Sequence, residues 1–242
     1  MRVDVRFTIP EIDSGELPGA TAVVVDVVRA TTTLVTALAE GAGPVFPAAS
    51  AEEAIRLLQS LGRDDTLLCG ERKGLRPEGY DLGNSPREFT RSVVGGKRLI
   101  MNTTNGTRAL RAVEDADRAF AAAFVNLGAV ADAVVDSERV IVLCAGREDS
   151  FALEDAACAG ALLLRLQGKG TELEAGDAAR AAIALASAQR LDEAFLAATH
   201  AGQALDALDL EGDLALCARM DTLPVVPVFR DRTVTLLEPS DR

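Results

Sequence analysis

A short apolar, β-branched run, Ala22 to Val25, delivers Asp26, and Arg29, Thr31, Thr32 and Thr33 follow at once. A carboxylate, a guanidinium and three hydroxyls behind one apolar segment suit an anion. The arginine fork matches a phosphate or carboxylate, and the hydroxyls can donate to its oxygens. The aspartate can hold a hard cation or attack phosphorus itself. A second stretch, NTTNGTR from Asn102 to Arg108, repeats the design: Thr104, Asn105, Gly106, Thr107 and Arg108 stand where a helix begins, and the glycine allows close backbone approach. Threonine and asparagine also serve as ordinary helix N-caps, but two such stretches in one chain favour two anion sites.

More acids and donors stand at comparable places. Glu71 and Arg72 follow TLLCG, Asn126 follows RAFAAAF, Arg147 and Glu148 follow VIVLCAG, and Glu154 and Asp155 open a long apolar helix. Acids in a first helical turn also stabilise the macrodipole. The alternative is metal ligation: magnesium takes oxygen ligands and bridges one or two carboxylates to a substrate phosphate. Asp26, Glu154 and Asp155 are the candidate ligands, and Asp26 and Glu71 the candidate catalytic acids. Spacing along the chain does not rank them as ligand, nucleophile or base.

Several known phosphate chemistries fail against the string. A thiol phosphatase needs arginine six residues beyond its cysteine, and those positions hold Leu75, Ser150, Leu164 and Leu223. Val28 stands where a D-x-D phosphatase has its second aspartate, and GGKRL lacks the flanking residues of a Walker loop. The one histidine, His200, excludes a multi-histidine zinc site and reads as a helix-terminal or packing residue. Cys144 follows a strand, but its apolar neighbours predict a buried, inert thiol.

The elements that must position these groups follow from apolar period. Strands are expected near Val3–Ile9, Ala22–Val28, Pro44–Ala48, Thr66–Gly70, Lys97–Met101, Arg118–Phe124 and Arg139–Ala145, with helical patterns such as AEEAIRLLQSL between most of them. The alternation predicts a layered α/β fold, a largely parallel or mixed sheet flanked by helices. Beyond Ala145 the chain turns alanine-rich and helical, and PVVPVFRDRTVTLLEP predicts a terminal β-hairpin turning at Arg230–Arg232. No linker or repeat interrupts the chain, so 1–242 is expected as a single domain, with a change of character near 146 that would divide it into two lobes. In such sheets ligands bind at the carboxyl ends of the strands, and that is where the polar groups above collect.

A net charge of −12 and a pI near 4.6 argue against bulk nucleic acid and anionic membrane surfaces as partners. A small anionic ligand remains compatible if arginines or a cation concentrate positive charge in one cleft. Four widely spaced cysteines, no secretory pattern at the N-terminus and no membrane-length apolar window predict a cytoplasmic protein. The alanine-rich helices from Asp177 onward could pack against another copy, which makes a homo-oligomer an expectation.

Together the blocks DVVRATTTLVTALAEGA, GERKGLRPEGYDLGNSPREF, TTNGTRAL, AAFVN, FALEDAACAG and DLALCARMDTLPVVPV, in this order from about residue 22 to 228, resemble the 2-phosphosulfolactate phosphatase family of coenzyme M biosynthesis. The resemblance implies a magnesium-dependent acid phosphatase acting on a small anionic phosphorylated substrate, releasing phosphate and sulfolactate. The matching positions are Asp26, Arg29, Thr31, Thr32, Glu71, Arg72, Asp81, Gly83, Asn84, Ser85, Thr104 to Arg108, Asn126, Glu154, Asp155 and Gly160; of these, Arg29, Thr31, Thr32, Arg72, Asn84, Ser85, Thr104, Asn105, Gly106, Thr107, Arg108 and Asn126 are the expected substrate-binding set. Asn102, where the family pattern has threonine, and Ala201, which separates His200 from Gly202, are departures. Two other readings stay open: a phosphatase for another small phosphorylated 2-hydroxy acid, and a non-catalytic sensor of such a ligand.

Overall fold

The structure, a computed structural model, describes residues 1–238; the final residue of the tail quoted above, Pro239, lies outside them. In chain order the elements are β1 (Arg2–Arg6), β2 (Thr21–Val25), α1 (Ala30–Ala39), β3 (Val45–Pro47), α2 (Ala51–Leu61), β4 (Thr66–Gly70), α3 (Arg91–Val94), β5 (Arg98–Asn102), α4 (Gly106–Ala112), β6 (Arg118–Ala122), α5 (Leu127–Val134) and β7 (Arg139–Cys144). The second part holds α6 (Leu153–Gly168), β8 (Glu174–Ala175), α7 (Asp177–Ala188), α8 (Glu193–Ala198), α9 (His200–Asp206), α10 (Leu214–Cys217) and the hairpin β9 (Pro227–Arg230) and β10 (Thr233–Leu236). The α/β class and the terminal hairpin are as expected. The first strand ends at Arg6 rather than Ile9, because Pro10 lies in a 3-10 turn over Ile9–Glu11, and the second ends at Val25, so Asp26 is the first residue beyond the ladder.

All ten strands form one mixed sheet in the order β4-β5-β3-β10-β9-β6-β2-β7-β1-β8. Five strands, β6-β2-β7-β1-β8, are mutually parallel, as are the three of β3-β5-β4. The hairpin β9–β10 joins the groups by antiparallel pairing on both sides, through the single register pair Val234–Val45 on the β3 side. By that pairing the two groups run in opposite senses. The two groups are the two leaves of the sheet, and one core takes residues from both, among them Val24 of β2 and Ala121 of β6 with Val45 of β3 and Leu99 of β5.

β2 displays the packing logic. Its five residues are all buried, so the strand reads as a continuous apolar run rather than an alternating one. Val23 and Val25 face one core with Phe120, Val140, Val142 and the apolar sides of α5 and α6. Ala22 and Val24 face the other, with Leu34 of α1, Leu110 of α4 and Leu99 and Met101 of β5. Each fully buried valine or leucine contributes about 1.5–3 kcal/mol, so the strand that carries Asp26 is anchored from both sides. A third cluster, Ala54 and Leu58 of α2 against Leu68 and Ile100, covers the outer face of the smaller leaf. In the helical part α6 and α7 pack closely enough that a Cβ on Gly160 would lie 1.9 Å from the Ala182 carbonyl oxygen. Among the described residues no helix is long and apolar enough to cross a membrane.

Candidate active site

The loops leaving β2, β4, β5 and β7, with the start of α6 and one side of α9, enclose a cavity of about 330 Å³. Asp26 enters it from β2. Its loop is locked by its own side chains: Thr31 Oγ1 donates to the Asp26 carbonyl at 2.8 Å and accepts from the Asp26 N–H at 3.0 Å, and Thr32 Oγ1 donates to the Val27 carbonyl at 2.7 Å. Thr33 Oγ1 donates to the Asn84 carbonyl at 2.9 Å. The threonine hydroxyls are therefore spent on backbone rather than turned toward a ligand.

Asp26 Oδ1 accepts from the Ala30 N–H at 3.1 Å, whereas Oδ2 has no hydrogen bond among the described residues. Gly106, at the start of α4, is what lets Oδ2 stand there: a Cβ on Gly106 would be 2.8 Å from that oxygen and 2.4 Å from the Ala30 Cβ. The glycine of the NTTNGTR stretch is thus required by the aspartate of the other stretch.

The remaining carboxylates tie the loops together. Asp155 takes the Val27 N–H on Oδ1 at 2.8 Å and the Gly146 N–H on Oδ2 at 3.1 Å, linking the β2 and β7 loops to α6. Glu71 takes the Thr104 N–H at 2.7 Å and the Gly74 N–H at 2.9 Å, linking the β4 and β5 loops. Burial, then its N–H bond from Ala30, which opposes it, and the nearby charges of Glu71 and Glu154 leave the Asp26 carboxyl pushed up to about 7. Burial, followed by the charges of Asp26 and Glu154, holds Asp155 well above the usual carboxylate range. Burial also raises Glu154, against an opposing pull from Arg147 among others. An acid cluster pushed this way is under-supplied with positive charge.

Arg29 offsets it only as the smallest of the influences on Asp26. Its Nη1 donates to Asp213 Oδ2 at 2.7 Å and its Nη2 to the Gly74 carbonyl at 2.6 Å, with both side chains of the ion pair almost fully buried. Ser85 Oγ completes the knot with a 2.6 Å donation to Asp213 Oδ1. Asp213 has no strand-end position to mark it; the only sequence signal is that it opens the block DLALCARMDTLPVVPV.

The other expected residues divide cleanly. Asn84, Thr104 and Asn105 line the cavity, and the Asn84 side-chain oxygen and the Thr104 hydroxyl are buried without a partner in the described structure. Thr107 is buried behind it, its hydroxyl donating to the Thr103 carbonyl. Arg72 donates to Asn102 Oδ1 at 2.8 Å and Arg108 pairs with Asp149 at 3.0 Å; neither lines the cavity. Asn126 lies elsewhere, its amide taking the Ala123 N–H and donating to the Ala121 and Val225 carbonyls. His200 is exposed at the start of α9 and not in the lining, where its neighbours Ala201, Ala204, Leu205 and Leu208 form an apolar wall. All four cysteines are free and buried, and burial raises the Cys144 thiol well above its ordinary value. Lys73 and Gly74 also line the cavity, and no strand-end or motif position marks them in the sequence.

The donor set suits a hard cation. The cavity offers carboxylate and amide oxygens, with no thiol or imidazole in its lining. Among the described residues no group of three or more acidic, histidine or cysteine side chains is placed to hold a metal ion. That is compatible with magnesium, which keeps several waters and takes few protein ligands.

An α/β sheet with buried acids and two open cations at one strand-end cavity has the form of a small-molecule site. The chain belongs to the 2-phosphosulpholactate phosphatase family, whose sequence model matches residues 7–232. It is similar to proteins named "Probable 2-phosphosulfolactate phosphatase" from Symbiobacterium thermophilum (42% identical over 226 residues, 92% of this chain and 97% of the relative) and Clostridium perfringens (38% over 242 residues, 98% and 97%). A Thermotoga maritima protein of the same name is 36% identical over 219 residues, 90% of this chain and 92% of its own.

Proposed function

We propose that the chain is a phosphoric monoester hydrolase that cleaves 2-phosphosulfolactate to sulfolactate and inorganic phosphate in the cytoplasm, with magnesium as cofactor. The observation that carries this reading is that Asp26, with a free carboxylate oxygen, lines one cavity with Glu154 and Asp155, in a chain of this family.

Glu154 would hold magnesium, with Asp26 beside it and Asp155, both of whose oxygens already accept backbone N–H bonds, fixing the loops around it; when bound, the ion neutralises the acid cluster and the negative charge of the phosphoryl oxygens. Phosphoryl transfer depends mainly on positioning and charge neutralisation. Asp26 manages the proton: Oδ2, which has no hydrogen bond among the described residues, is its open acceptor. As the oxygen of a water bonds to phosphorus, that water's proton passes to Oδ2. The bond from phosphorus to the 2-oxygen breaks, and the leaving oxygen collects a proton from solvent at the cavity mouth. Asp26 then returns its proton to solvent. Glu71 positions rather than reacts, because each of its oxygens already accepts a backbone N–H from a different loop. Asn84 and Thr104 have polar atoms to spare for phosphoryl oxygens or bound water.

The test is phosphate release by wild type and Asp26→Asn with magnesium present. The variant keeps the shape of the side chain but cannot take the proton, and a loss of at least about 100-fold in kcat is expected for a missing general base. A variant within about threefold of wild type would remove Asp26 from the chemistry.

A further inference from the structure

Two tight turns stand at the cavity, and they share a backbone design. In the first, Arg72 and Leu75 exchange both backbone hydrogen bonds, at 2.9 and 3.2 Å, around Lys73 and Gly74. In the second, Arg147 and Ser150 do the same at 2.8 and 2.9 Å around Glu148 and Asp149. The central residues of both have positive φ: 53° and 83° in the first, 50° and 62° in the second. This is the type I′ arrangement. A third turn of the kind, Asp231–Arg232, closes the β9–β10 hairpin and is backed by its ladder. The two at the cavity have no ladder behind them. They are held instead by the site: the Gly74 N–H bonds to Glu71, and the Glu148 N–H to Asn105 Oδ1 at 3.2 Å.

These turns carry Lys73 and Gly74, and Arg147 and Glu148, into the lining; its two open cations, Lys73 and Arg147, are among them. Neither side chain enters a hydrogen bond or an ion pair among the described residues, whereas the third cation of the lining, Arg29, is locked to Asp213. The rest of the lining is acidic, neutral or, along α9, apolar. A ligand with several negative groups therefore finds open positive charge only on these two turns. Phosphosulfolactate has three such groups on a three-carbon frame, the phosphate, a carboxylate and a sulfonate. If the phosphate lies against Asp26 and its cation, the other two anions must be met elsewhere, because bare acid groups or the α9 wall would repel or desolvate them.

We propose that Lys73 and Arg147 form a tail subsite that holds the carboxylate and sulfonate and selects phosphate esters with additional anionic groups. The inference rests on the hydrolase reading for its substrate, but it can be tested without turnover. The experiment is calorimetric titration of the full chain, in magnesium, with sulfolactate, which has the two tail anions and no phosphate, and separately with inorganic phosphate. Lys73→Gln and Arg147→Gln are compared with the charge-keeping Lys73→Arg and Arg147→Lys; both positions are exposed, so folding is not at stake. Each glutamine variant is expected to weaken sulfolactate by about 10- to 100-fold, the range for a hydrogen bond to a charged group, and phosphate by less than about threefold. The charge-keeping variants should recover most of the loss. Unchanged sulfolactate binding in both glutamine variants, an equal loss for phosphate, or no sulfolactate binding by wild type would each overturn the subsite. If the expected pattern appears in a protein that hydrolyses no phosphate ester, the subsite stands and the hydrolase reading fails.

Discussion

Replacing Asp213 by alanine should destabilise the protein more than almost any other single change of a polar residue. The Arg29 and Asp213 side chains are 3% and 1% exposed, so water cannot screen the charge left behind. Removing one partner of a buried pair costs about 3–5 kcal/mol, chiefly because the surviving charge stays desolvated. Here Ser85 also loses its acceptor. For a chain of this length each kcal/mol lowers Tm by about 2–4 °C, so a fall of about 6–20 °C is expected, read by circular dichroism during heating. The control is the cycle of Arg29→Met, Asp213→Leu and the two combined, which removes both charges. The double variant should lose less than the sum of the singles, by at least about 2 kcal/mol. A drop below about 2 °C for Asp213→Ala, or strict additivity in the cycle, would refute a buried, mutually dependent pair, and with it the view that Arg29 is structural rather than open to ligand.

Three further outcomes follow from the same geometry. Gly106→Ala forces a Cβ against Asp26 and Ala30; it should cost about 1–3 kcal/mol of stability and most of the activity, and a variant with kcat/KM within about threefold of wild type would remove the glycine's role. The Asp26 carboxyl is raised in the folded state from 3.8 to about 7, so its protonation favours folding at low pH, and that contribution, about 4 kcal/mol in full, is lost as pH rises from near 4 through about 7. The difference in Tm between pH 5 and pH 8 should therefore shrink in Asp26→Asn, and added magnesium should stabilise wild type more at pH 8 than at pH 5; the same pH dependence in both proteins would contradict the assignment. Asn126→Ala strands the buried Ala123 N–H and leaves two carbonyls short of a donor, at about 1–3 kcal/mol for each group left unsatisfied; a thermal melt indistinguishable from wild type would contradict that knot.

The strands were legible where burial is two-sided. β2, β6 and β7 are runs of apolar residues with no polar interruption, and nothing but a covered strand explains them. β8 was not, since Glu174–Ala175 has no pattern of its own and exists only as an edge partner of β1. Nor was the place of the C-terminal hairpin between β6 and β3, because pairing partners so distant in sequence leave no local trace. At the site, Asp26, Glu71, Asn84, Thr104, Asn105, Glu154 and Asp155 do meet in one cavity, and most of them could be named because they follow strands or open a helix. What each does there could not be read. The hydroxyls of Thr31 and Thr32 turn to backbone carbonyls one turn away, and Arg29 finds its partner 184 residues further on. Lys73 has no sequence mark, because a backbone turn carries it into the cavity and no periodicity marks such a turn.

The most direct test of the hydrolase account is a time course of phosphate release from 2-phosphosulfolactate and from phospholactate, in magnesium and in EDTA. The account predicts turnover in magnesium, its loss in EDTA, and a clear preference for the sulfonated substrate that falls toward parity when Lys73 and Arg147 are both replaced by glutamine. No phosphate release from 2-phosphosulfolactate in magnesium would contradict it.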